Sequence, residues 1–210
     1  MKKLIKQLLG ESAIYGISSM IAKFISLFLV PLYTSLISPA EYGELSLVNT
    51  TFYFIIVFAV FAMDNSAASW YYDTEDATER KKTVATWFWF QLSVSVVLAS
   101  VVIGLSSHLS QWILHNNSSI FFILPACGLL SSILPTIVSN WLRFQRKAVH
   151  AVVFTLSNVC INVVLNLWFV YHVKLGVQGI LTATLLSNCI ASIYVFTLLH
   201  GWIKFSFFSL

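Results

Sequence analysis

Six long apolar runs constrain this chain more than any motif in it. They occupy residues 12–37, 45–68, 83–105, 120–138, 151–171 and 177–199. A bilayer core about 30 Å thick needs about 20 apolar residues per helix, and each run is of that order. Each is too long for a buried strand and too apolar for a surface helix. Only 10% of the 210 residues are charged, against 58% apolar and 15% aromatic, where a soluble domain carries about 25% charged residues. So few charges cannot clothe a water-soluble core of this size. The expected class is an all-α membrane protein of six transmembrane helices, with the bilayer as its main solvent. The first run is too long for the apolar region of a signal peptide, and Leu32, Tyr33 and Thr34 offer no small-residue cleavage site.

Charge placement orients the bundle. Lys2, Lys3 and Lys6 precede the first run, Arg80, Lys81 and Lys82 follow the second, Arg143, Arg146 and Lys147 follow the fourth, and Lys204 follows the sixth. Ten of the twelve basic residues thus fall on one side, with Lys174 on the other and Lys23 within the membrane. The positive-inside rule then places both termini in the cytoplasm, and the net charge of +4 reflects topology rather than nucleic-acid binding. Short connections imply antiparallel neighbours. In the turn after the second run, Asp76 and Arg80 stand at a favourable i,i+4 spacing. Leu109, Trp112 and Ile113 suggest an outer segment lying along the interface. Trp70, Trp87, Trp141 and Trp202 fall where an aromatic belt is expected. Cys127, Cys160 and Cys189 read as small buried hydrophobes rather than as disulfides or metal ligands.

Within the runs, a few polar residues carry the functional reading. Lys23 lies eleven positions into the first run, roughly 16 Å deep at the helical rise. It shares a face with Ser12, Gly16, Ser19 and Ser26, and an intramembrane cation of this kind is expected to face a substrate cavity. Asp64 lies near the cytoplasmic end of the second run, where a carboxylate can act as a gate or coupling group. Asn158, Asn162 and Asn166 recur at i,i+4 spacing, so their face must meet another helix or a wet cavity. Thr182, Thr184, Ser187 and Asn188 add polar groups in the sixth run, and Ser131, Ser132, Thr136 and Ser139 in the fourth. Pro31, Pro125 and Pro135 are expected to interrupt their helices. Histidines are scattered without nearby carboxylates, and no hydrolase, metalloprotease or phosphate-loop motif occurs. Neither an enzyme, a metal nor a cofactor is expected.

The residues also resemble a known family. Ser12, Tyr15 and Gly16, then Pro31, Tyr33 and Thr34, then Ser38-Pro39-Ala40-Glu41-Tyr42-Gly43 are similar to the start of bacterial lipid-linked oligosaccharide flippases. These are the O-antigen and capsule transporters of the polysaccharide branch of the MATE-like superfamily. Met63-Asp64-Asn65-Ser66-Ala67 with Trp70-Tyr71-Tyr72, Arg143 after the fourth run, and Gly176-Val177-Gln178-Gly179 resemble further family positions. The resemblance implies two six-helix lobes around a central cavity in the bacterial inner membrane. This chain would be the N-terminal lobe, and a C-terminal lobe or a second copy would be its partner. The implied substrate is an undecaprenyl-diphosphate-linked oligosaccharide, moved without bond breakage by rocking of the lobes. Relatives often carry Arg where this chain has Ser35 and Ser69. The alternatives are a multidrug/cation antiporter of the same superfamily, an inactive fragment of a transporter, and a membrane-bound glycan enzyme.

Overall fold

The computed structural model describes residues 2–203, with side chains from Ile14 onward except those of Tyr15, Ser26 and Leu32. Lys2, Lys3 and Lys6 (as side chains), Ser12, Ser26 and Lys204, all used in the sequence reading, lie outside that description. The described residues form no strand. Seven α-helices follow one another: α1 (Lys2–Leu36), α2 (Pro39–Val60), α3 (Met63–Asp73), α4 (Ala77–Leu109), α5 (Ile120–Phe144), α6 (Ala148–Leu167) and α7 (Gly176–Leu199). With α2 and α3 taken as one rod, six helical units are long and apolar enough to cross a membrane. The helices run past the ends of the apolar runs: α4 opens at Ala77, six residues before the third run begins.

Local chemistry sets several helix starts. Ser38 caps α2 through a reciprocal pair in which Glu41 N–H donates to Ser38 Oγ and Ser38 N–H donates to a Glu41 carboxylate oxygen at 2.8 Å. Pro39 occupies the first turn, where its missing N–H costs nothing. Asp76 caps α4 by accepting from Thr78 N–H at 3.0 Å. Arg80 does not pair with Asp76; its Nε donates to the carbonyls of Tyr71 and Thr74 at 3.2 and 2.9 Å, while Lys82 pairs with Glu79 at 2.7 Å. A side chain that can tie down the preceding turn satisfies two carbonyl acceptors there, where a surface ion pair gives little. The outer ends of α4 and α6 both widen into π-turns, at Ser110–Leu114 and Trp168–His172. The expected interfacial segment is therefore the last turn of α4, with Leu109 and Ile113 against the core and Trp112 exposed.

Connections alternate between the two ends of the bundle. At one end Asn116 donates to Glu44 at 2.9 Å, and Gly176 approaches Glu41. At the other, Tyr72 donates to the Phe144 carbonyl and Trp89 to that of Ile203. The centre is α5, with α4 and α7 against it, α6 against α7, and α1 laid on α6. Phe122, Ala126, Ile137 and Val138 of α5 are fully buried. Outward faces are unusually greasy: Phe28, Phe54, Val57, Val97, Val164 and Ile193 are all more than 60% exposed. Contiguous exposure on that scale suits hydrocarbon surroundings and not water.

Three expectations fail in the packing. Pro31, Pro125 and Pro135 all lie inside continuous helices, since neighbouring carbonyl groups can be resatisfied locally. The break falls instead in the second run, at Phe61 and Ala62, which are consecutive left-handed residues with φ of 49° and 55° and no glycine or proline beside them. Trp87 and Trp141 are 1% and 5% exposed, so they are core residues rather than belt residues, whereas Trp70 is 69% exposed. The three cysteines are exposed rather than buried, because each sits on an outer helix face where apolar character is no guide to depth.

Candidate functional site

The helix break carries the site's best-defined cluster. Asp64 sits in the first turn of α3, directly after the left-handed pair. Its Oδ1 accepts from Trp87 Nε1 at 3.1 Å and from Gln91 Nε2 at 2.9 Å, and its Oδ2 accepts from Asn140 Nδ2 at 3.0 Å. Gln91 Nε2 also donates to the Val60 carbonyl at 3.2 Å, one of the acceptors that a helix end leaves unpaired. Trp87 and Gln91 are each 1% exposed. The break, the carboxylate and two buried donors of α4 therefore form one unit tied to α5 by Asn140.

That unit opens onto a cavity of about 490 Å³, also lined by Ser139, Asn140 and Arg143 of α5, Thr155 and Asn158 of α6, and Asn188 of α7. The structure thus brings together Asp64, Arg143 and Asn158, which the sequence named separately. Ser132 and Asn188 are shared with a second hollow of about 220 Å³ beneath Asn49 and Tyr53 of α2. Asn158 and Asn188 are shared with a third of about 160 Å³ against Ile25 and Leu29 of α1. A carboxylate, a guanidinium and a set of amides and hydroxyls make a surface able to hold a polar, charged molecule in apolar surroundings.

The asparagine face turns toward α7. Asn158 Nδ2 donates to Asn188 Oδ1 at 3.4 Å, and Asn162 Nδ2 donates to Ser187 Oγ at 3.0 Å and Thr184 Oγ1 at 3.4 Å. Asn166, 1% exposed, donates back to the Asn162 carbonyl and side-chain oxygens at 2.9 Å. Both readings of the stripe coexist: Asn158 and Asn162 join α6 to α7, Asn166 bonds back within α6, and Asn158 also lines the cavity. The Oδ1 atoms of Asn158 and Asn166 are buried with no hydrogen-bond partner among the described residues, which leaves this stripe the least satisfied part of the interior.

Lys23 stands apart. Its side chain is exposed and belongs to the lining of none of these three hollows. α1 meets α6 through the half-buried face of Ser18, Ala22, Ile25 and Leu29, roughly a quarter-turn or more from Lys23 at 100° per residue. Gly16 and Ser19 share the exposure of Lys23.

Gln91 and Asn140 escaped the sequence reading, which placed Trp87 in the aromatic belt. Gln91 had a signal, an amide alone in an apolar run beside a tryptophan four residues earlier. Asn140 had none beyond its neighbourhood of Ser and Thr. The described residues include no cluster of His, Cys, Asp and Glu able to hold a metal ion. Comparison of the chain with protein-family models, with curated proteins and with solved structures returned no match.

Proposed function

We propose that the chain is one lobe of a multi-pass membrane transporter, with the Asp64–Arg143 cavity as part of its substrate path. The observation that carries this reading is the polar cavity itself, set among six helices whose outer faces are apolar. Stripping water from sugars and phosphates is costly unless hydrogen bonds replace it. Asn, Ser and Thr side chains supply them, and Arg143 offers a cation with a forked set of donors for phosphate. Together with the resemblance of the Ser38–Gly43 and Met63–Ala67 stretches, this favours a flippase for polyprenyl-diphosphate-linked oligosaccharide in a bacterial inner membrane. The three hollows share Asn188; a second six-helix lobe or a second copy would complete the path, and rocking between them would alternate access.

The test is surface-glycan export in a flippase-deficient cell, with the chain supplied alone and with a partner lobe as a separate chain. Export is expected only with the partner, and Arg143→Gln should reduce it at equal membrane level. The second reading, a cation antiporter, is favoured by one observation, the carboxylate of Asp64 at the cavity wall. Asp64-dependent efflux of an organic cation, with no glycan export, would establish that reading instead.

A further inference from the structure

The two ends of α2 are held in different ways. At its start, two carboxylates on successive turns reach two different connections. Glu44 accepts from Asn116 Nδ2, in the connection between α4 and α5, at 2.9 Å. Glu41 gives one oxygen to the Ser38 cap and stands with the other, Oε1, against Gly176 at the head of α7. Leu175, which precedes α7, offers no side-chain acceptor to the first N–H groups there, so a negative charge in that place is favourable. At its far end α2 stops at the left-handed pair Phe61 and Ala62. Gln91 donates both to the Val60 carbonyl before that break and to Asp64 after it, which pins the break to α4.

Between these two ends α2 covers the hollow of about 220 Å³. Asn49, Phe52, Tyr53 and Ile56 of α2 form one wall of it, and α5 and α7 form the others. The hollow meets the Asp64 cavity at Ser132 and Asn188, which line both. Beyond Phe52, α2 buries only Ala59 before the break, and Tyr53, Phe54, Val57 and Phe58 are all more than 60% exposed. In hydrocarbon surroundings an apolar contact between helices exchanges for lipid at little cost, so polar contacts weigh more in deciding which helices stay together. Glu41 and Glu44 supply such contacts at the start of α2. The helix before it, α1, lies on α6 by one half-buried face and is free to follow α2.

We infer that α2 is a hinged lid over this hollow, with the Phe61–Ala62 break as its hinge and Glu41 and Glu44 as its clasp. Closed, the clasp holds α2 against the turns that open α5 and α7. Released, α2 turns about the pinned break and gives the Asp64 cavity a second mouth at the Glu41–Glu44 end. From Pro39 to Val60 the arm is about 33 Å long, so about 10° at the hinge moves the clasp by about 6 Å. The inference concerns the motion of this bundle and holds whatever solute the cavity carries.

The test is a set of spin-label distances in the full chain in phosphatidylcholine vesicles, in a background lacking Cys127, Cys160 and Cys189. Leu47→Cys with Val173→Cys reads the lid, Trp70→Cys with Val149→Cys the far side of the hinge, and Ile120→Cys with Val173→Cys the bundle without the lid; all five positions are exposed. Glu44→Lys should add a second lid distance, shifted by about 6 Å, and leave the other two pairs unchanged. Its population should rise about tenfold, the factor carried by one hydrogen bond to a charged group. Asn116→Asp, which sets a second carboxylate against Glu44, should do the same. Glu44→Lys combined with Asn116→Asp rebuilds an attracting pair and should restore the parent distance. In parallel, Leu185→Cys, in the wall of the hollow, should react faster with a water-soluble thiol reagent in either single variant and at the parent rate in the combined one. A lid distance indifferent to both single changes, a shift shared by all three pairs, a combined variant that stays open, or unchanged reaction of Leu185→Cys would each overturn the inference.

Discussion

Asp64 shows how one side chain can organise three helices. Its two oxygens take up N–H groups from α4 and α5. Asp64→Leu would orphan Trp87 Nε1 and the Asn140 amide, while Gln91 would keep the Val60 carbonyl. One buried donor without an acceptor, Trp87 Nε1, costs about 1–3 kcal/mol, while the half-buried Asn140 amide at the cavity wall adds less. Thermal unfolding in detergent is expected to fall accordingly for Asp64→Leu, with Asp64→Asn intermediate because it retains one acceptor oxygen. Indifference of the melting temperature to Asp64→Leu would mean the cluster does not hold in solution. The asparagine stripe predicts a smaller effect. Asn162→Leu removes the bonds to Ser187 and Thr184 and the two acceptors used by Asn166 reduce to one. The expected loss is about 1 kcal/mol, the scale of side-chain hydrogen bonds between membrane helices, read from the same unfolding curves.

At the scale of elements, the break between α2 and α3 is the unexpected feature. Consecutive left-handed Phe61 and Ala62 each carry a cost of roughly 1–2 kcal/mol, and neither a proline nor a glycine relieves it. The Gln91–Val60 and Asp64 hydrogen bonds offset that strain by satisfying the groups the break exposes. Ala62 is itself exposed, so Ala62→Gly removes no packing and should stabilise the fold by about 1 kcal/mol, less the extra freedom gained by the unfolded chain. A higher melting temperature for Ala62→Gly is the expected result; a lower one would argue for an unbroken helix. The other element boundaries follow ordinary local rules. Ser38 with Glu41, and Asp76 with Thr78, satisfy orphan N–H groups within three residues of each helix start.

For the whole molecule, the alternation of connections between two ends gives six antiparallel traverses, and the basic residues concentrate at one of them. Reporter fusions after Lys82 and Lys147 are expected to signal cytoplasm, and fusions near His115 and Lys174 the exterior. An exterior signal at Lys82 would overturn the assigned orientation. The outward position of Lys23 matters at this scale too. Its long cationic side chain lies on the exposed flank of α1 rather than in the hollows within this bundle. Lys23→Cys, in a background lacking Cys127, Cys160 and Cys189, should resist a water-soluble thiol reagent because its flank faces hydrocarbon; ready reaction would mean that this flank lines a wet path.

The sequence by itself determined the helical class and six helical units long and apolar enough to cross a membrane, because apolar length is a property of short stretches. It also named Asp64 and Asn158 as polar residues within apolar runs, and Arg143 as a basic residue after the fourth run that resembles a family position. Only the tertiary structure decided that these three share one cavity, that Trp87 and Gln91 are interior, and that the second run breaks at Phe61 without a proline. The physical reason is common to all of these. In a soluble helix the apolar stripe marks the inner face, but a helix whose outer face is equally apolar carries no such mark. Which residues meet is then settled by shape, by small and polar groups finding partners across helices, and by the backbone groups left open where a helix bends.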